Sequence, residues 1–137
     1  MKQFFLLLII SVVLFSCKKS EKTCELNEAN FVGSFKVTSL IHKSNTDPGT
    51  DYFITQWADC KKDDIMVIQS DHVITYQDAE IACLPGGGSH GSWTLTGNAV
   101  NIDGQAGTVI YFDCNSMAIT FPQSTTDETL TLSLSRQ

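Results

Sequence analysis

From residue 33 to the C-terminus, apolar and polar residues tend to alternate singly, and turn signals interrupt the alternation every eight to twelve residues. Successive side chains of an extended strand point to opposite faces, so this period buries one face and wets the other. A helix would need apolar residues three and four apart. The clearest stretch lies near the end of the chain, where Leu130, Leu132 and Leu134 alternate with Thr129, Thr131, Ser133 and Ser135. Near residue 33, Phe35, Val37 and Ile41 are expected to share a face, with Lys36 and Thr38 on the other. Three hairpins follow: 65–69 with 73–77 across Ser70-Asp71-His72, 93–96 with 99–103 across Gly97-Asn98, and 108–113 with 117–121 across Cys114-Asn115-Ser116. Residues 42–51 read as a polar loop with Asp47-Pro48-Gly49 as its turn. Residues 52–57 read as extended, although their mixed polarity also suits a short helix, and residues 27–31 suit one helical turn. The expectation is an all-β chain of eight or nine short strands. An antiparallel barrel of about eight strands is favoured over a sandwich, because consecutive strands are hairpin-connected and closure removes free sheet edges.

The first residues differ in character. Lys2 precedes an apolar run over 4–14, broken only by Ser11, that ends at Leu14-Phe15-Ser16-Cys17. The run is too short to cross a hydrocarbon core of roughly 30 Å. A small residue directly before a cysteine resembles the lipobox of bacterial lipoproteins, which implies cleavage before Cys17 and acylation of that cysteine. Residues 1–16 are then a lipoprotein signal peptide, 17–30 a lipidated N-terminus and tether, and 31–137 the barrel domain. An ordinary secretory signal is the alternative. The membrane is the expected partner through the acyl anchor at Cys17, since each buried methylene contributes ~0.8 kcal/mol and more than one chain holds stably. The charged stretch Cys17-Lys18-Lys19-Ser20-Glu21-Lys22 partly resembles the export signals of surface lipoproteins in Bacteroidetes. The expected location is the cell outer membrane, periplasmic or surface-facing.

The formal charge is −6, without an arginine cluster. Nucleic-acid binding draws on neutralised phosphates, so no nucleic-acid partner is expected. With Cys17 assigned to lipid, Cys24, Cys60, Cys83 and Cys114 remain. Four widely spaced cysteines in an exported chain read as two disulfides, and none has the close spacing of structural zinc ligands. Three pairings are available. Antiparallel pairing of the runs between Cys60 and Cys83 would bring those two together and leave Cys24 for Cys114.

A family resemblance rests on motif order. Gly33-Ser34-Phe35 opens the first strand, where lipocalins usually carry a Gly-x-Trp motif. Cys60-Lys61-Lys62-Asp63-Asp64 leads into an apolar strand, and a returning strand ends at Cys83. Gly91-Ser92-Trp93-Thr94-Leu95 then runs into the Gly97-Asn98 turn. Over roughly 31–135 the chain resembles the small lipocalin-like lipoproteins of Bacteroidetes-type bacteria. The resemblance implies a lipocalin-like barrel and, independently of the strand argument, a Cys60–Cys83 bridge. It implies no single ligand.

Sharper chemical readings find little support. The glycine-rich stretch 85–91 lacks the Lys-Ser/Thr pair of a phosphate loop and reads as a hairpin or mouth loop. Neither Asp47 with Asp51 nor Asp59 with Asp63 and Asp64 has calcium-loop spacing, so these read as solvated turn carboxylates. His42, His72 and His90 fall in expected loops at intervals unlike those of metal ligands. No Gly-x-Ser-x-Gly elbow occurs and no cysteine is left as a nucleophile. No enzyme activity, metal or cofactor is expected. Phe53, Trp57, Tyr76, Trp93 and Tyr111 are the candidate ligand-binding residues, with Phe121 a further aromatic. The competing reading is plain core packing, which is favoured for Trp93, with any pocket nearer the loops around His42 and His90. The expected function is to hold a small hydrophobic ligand, as a monomer. The alternative is a protein- or glycan-binding scaffold with a filled barrel. A cavity of about 300 Å³ or more distinguishes the two.

Overall fold

The computed structural model describes residues 24–83, 88–124 and 127–137. Its strands are β1 (Gly33–Lys43), β2 (Thr50–Asp51), β3 (Ile65–Ile68), β4 (Val73–Gln77), β5 (Gly88–Thr96), β6 (Ala99–Ile102), β7 (Gln105–Phe112), β8 (Ser116–Pro122) and β9 (Thr129–Arg136). Two helical turns, α1 (Glu28–Phe31) and α2 (Tyr52–Thr55), and a 3-10 turn at Asp59–Lys61 complete the elements. From β3 to β9 each strand pairs antiparallel with the next, and β3 also pairs with β1. β9 returns to β1, from Phe35 opposite Arg136 to Lys43 opposite Thr129, and closes an eight-stranded barrel. β2 is the extra strand. It pairs with β1 at Ile41 and His42, beyond the Gly33–Lys36 stretch that pairs with β3.

The strand register gives the barrel a closed end and an open end. At the closed end, the start of β1, the end of β9 and the β3–β4, β5–β6 and β7–β8 turns come together. α1 lies across this end. Asn27 caps it by accepting the Asn30 amide at 2.9 Å, and Phe31 packs fully buried with its ring 5.1 Å from Trp93. The Arg136 guanidinium donates to the carbonyls of Val32 (2.9 Å), Asn30 (2.6 Å) and Cys114, and stands 4.6 Å over the Phe35 ring. Gly33 has a positive φ, and a Cβ there would overlap Arg136, so this approach requires glycine. The Cys24–Cys114 disulfide fastens the segment ahead of α1 to the β7–β8 turn.

The core fills the barrel from this end. Phe35, Met66, Ile68, Ile74, Trp93, Leu95, Val100, Ile102, Val109, Met117, Ile119, Phe121 and Leu134 are buried among the described residues. In each strand they alternate with exposed or half-buried positions, as the period-two pattern implies. Several expectations need correction. A bulge between Val37 and Ser39 shifts the phase of β1, so Leu40 sits opposite Leu132 while Ile41 sits opposite Thr131. Ile41 therefore leaves the face of Phe35 and Val37. Residues 52–55 form α2 rather than an extended stretch, because the Asp51 carboxylate caps the Phe53 amide at 2.9 Å. Gly88–Gly91, expected in a loop, pair with β4 as the first half of β5. His42 and His90 lie in β1 and β5 rather than in loops. The tight turn Asp103-Gly104, with φ of 53° and 84°, joins β6 to β7 as a two-residue hairpin, for which Asp-Gly is a strong signal that the expected strand 99–103 runs into. The signal peptide 1–16, the lipid site Cys17, the tether residues 17–22 and residues 85–87 of the glycine-rich stretch lie outside the described residues.

Candidate ligand cavity

At the open end, the long β1–β3 connection folds over the barrel mouth and is held there at several points. The Asp51 carboxylate accepts the Leu40 amide of β1 at 3.1 Å as well as capping α2. The Asp63 carboxylate accepts the Glu80 and Ile81 amides, both at 2.8 Å, across the connection that follows β4. The Cys60–Cys83 disulfide, with Cα atoms 5.1 Å apart, locks the same two connections together. Lys62 and Asp59 form an ion pair at 2.7 Å within the connection.

Beneath this roof lies a cavity of about 510 Å³. Its barrel wall comes from inward residues of neighbouring strands: Val37 of β1, Met66 of β3, Tyr76 of β4 and Ser89 of β5. Met66, Tyr76 and Ser89 are register partners in one row across the sheet. In the next row towards the closed end, Ile68 and Ile74 are fully buried, so the barrel interior is filled on that side of the cavity. The roof contributes Gln56, Trp57, Ala58, Lys61 and Asp64.

The site's electrostatics are mainly acidic. Asp64 is held above the usual carboxylate range by burial first, then by the neighbouring Asp78 and Asp63 carboxylates. One of its carboxyl oxygens is buried without a hydrogen-bond partner among the described residues. Asp63 is pushed the other way, chiefly by the Ile81 amide it accepts, with the Glu80 amide adding to the effect. Tyr76 donates its hydroxyl to Asp103 at 3.3 Å, and burial together with that carboxylate raises its pKa to about 12. Asp103 also accepts the Ser92 amide at 2.7 Å. It occupies the space a side chain at Gly91 would need, since a Cβ there would overlap its carboxylate.

Of the five candidate residues, Trp57 and Tyr76 line the cavity. Phe53 stands behind Trp57, with ring centroids 5.4 Å apart. Tyr111 requires correction as a cavity residue, whereas Trp93 sits in the packed core, the reading favoured for it. Trp93 is 1% exposed at the closed end, between Phe31 and His72, and its indole Nε1 donates to the Gln69 carbonyl at 2.9 Å. Tyr111 is 53% exposed and donates its hydroxyl to Asp113 at 2.7 Å. The bulge between Val109 and Tyr111 gives Phe112, rather than Tyr111, the position opposite the buried Met117. Of the seven lining residues missed by sequence reasoning, four carry a signal that could have found them. Val37 and Met66 occupy inward strand positions that alternation marks as apolar. Lys61 and Asp64 belong to the Cys60–Asp64 run that carried the family resemblance. The three histidines stand apart: His42 stacks on Tyr52 at 4.9 Å, His72 packs on Trp93, and His90 lies 3.5 Å from the Thr75 hydroxyl. In comparisons with known proteins, no family model and no curated protein matches the chain.

Proposed function

We propose that the protein is a lipid-anchored cell-envelope lipoprotein whose lipocalin-like barrel binds a small apolar ligand in its mouth. The observation that carries this reading is the cavity of about 510 Å³, lined by the apolar and aromatic residues Val37, Met66, Trp57 and Tyr76. Small-molecule sites are mostly apolar clefts of about 300–1,000 Å³ with a few placed polar groups. The two disulfides support an oxidising compartment, and the lipobox-like run ending at Cys17 supports export with acylation. Native mass spectrometry of protein purified from its own host tests both parts. The expected spectrum has the mass of the chain beginning at Cys17 plus acyl chains, together with a second, heavier species carrying a small molecule. A mass that retains residues 1–16, or that begins elsewhere without lipid, refutes the anchor. An unliganded barrel in every preparation counts against the ligand.

A further inference from the structure

The polar groups of the cavity define the head group of its occupant. We propose that the ligand is an amphiphile bearing a primary ammonium group, with its ammonium against Asp64 and its apolar body on Val37, Met66 and Trp57. This rests on the small-ligand reading above and specifies its chemistry.

Three observations converge on the ammonium. First, Asp64 is a half-buried carboxyl that lines the cavity. Partial burial makes its ionised form costly, and a cation in the cavity supplies both a donor and the opposite charge. Second, the surrounding charge is mostly negative. Asp63 and Asp78 both act on Asp64, and the exposed Asp103 stands at the hydroxyl of the cavity residue Tyr76. The cation in the lining, Lys61, is on an exposed residue and keeps its hydration, so it is a weak anchor for an anionic head. Third, Trp57 offers an indole to the same cavity, backed by Phe53 at 5.4 Å, and an aromatic face attracts an ammonium group while also covering a hydrocarbon stem.

The test compares three molecules with one tail and different heads: decylamine, decan-1-ol and decanoate, each below its micellar concentration, titrated calorimetrically into the folded protein at neutral pH. Decylamine is expected to bind about tenfold more tightly than decan-1-ol, the scale of a charge-assisted hydrogen bond, with decanoate the weakest. Asp64→Asn should abolish the preference for decylamine over decan-1-ol measured on the same variant, whereas Asp64→Glu should keep the preference. Equal binding of the three heads, tighter binding of decanoate, or an undiminished preference in Asp64→Asn overturns the ammonium assignment while the cavity still binds. Binding of none of the three overturns the small-ligand reading itself.

Discussion

Tyr76 and Trp93 are both aromatic residues pointing into the barrel, and their surroundings give them opposite roles. Tyr76 is half-buried, with its hydroxyl on Asp103 and its pKa raised to about 12. A phenol whose folded pKa exceeds its ordinary 10.0 contributes stability that is fully present below pH 10 and lost as the pH rises towards 12. Spectroscopic titration of tyrosinate should therefore find two raised phenols, Tyr111 through its hydrogen bond to Asp113 and Tyr76 further, and the later of the two should be absent in Tyr76→Phe. Asp103→Asn should lower its pKa only part of the way to the ordinary value, because burial is the larger cause. A full return would mean that burial has been misjudged. Trp93, by contrast, is sealed between Phe31 and His72. Trp93→Ala should cost about 3–5 kcal/mol by denaturant unfolding, the range for emptying a large buried aromatic site. The folded fraction should still bind a decyl amphiphile with unchanged affinity, since Trp93 lies at the end opposite the cavity. Loss of binding at unchanged stability would reverse the assignment.

Among the elements, the two disulfides do different work. Cys24 and Cys114 are 90 residues apart in sequence and Cys60 and Cys83 are 23 apart. Loop-closure entropy makes the longer cross-link more stabilising by about 1 kcal/mol, and removing either should cost about 2–5 kcal/mol. The shorter one holds the cavity roof. The double variant Cys60→Ser/Cys83→Ser should weaken ligand binding at temperatures where its far-ultraviolet spectrum remains that of a barrel, and Cys24→Ser/Cys114→Ser should not. The strands themselves were legible wherever one face is buried and the other wet, as in β3, β4, β6, β8 and β9. Legibility failed where pairing overrides composition. Gly88–Gly91 contain no large apolar residue, and their extended state comes from hydrogen bonding to β4. The bulge in β1 is likewise invisible to a strict period of two, which assigns Ile41 to the face it does not occupy. The cavity was half legible. Its wall follows from strand alternation, but its roof is positioned by contacts between residues far apart in sequence, namely Asp63 with Glu80 and Ile81, and Cys60 with Cys83. No local pattern encodes that placement.

For the whole molecule, closure depends on pairing β1 with β9, strands from opposite ends of the domain. Each is the other's partner over most of its length, so deleting residues 129–137 should abolish the cooperative melt rather than merely lower its midpoint. Scanning calorimetry of the truncated chain checks this, and a surviving sharp transition would show that the remaining sheet is stable when open. Pairing across so large a sequence separation also makes folding slow relative to a helical domain of similar size, because the chain must close a long loop before the contact forms. The seam matters in another way at the closed end. Cys24, the first described residue, is bonded to Cys114 in the β7–β8 turn, on the side of the barrel opposite the mouth. A pull on the chain ahead of residue 24 therefore reaches the β7–β8 turn through a covalent bond and bypasses α1 and the β1–β9 seam. Such a load would enter the barrel at its base, at the end away from the cavity mouth, and would not begin by peeling β1 from β9.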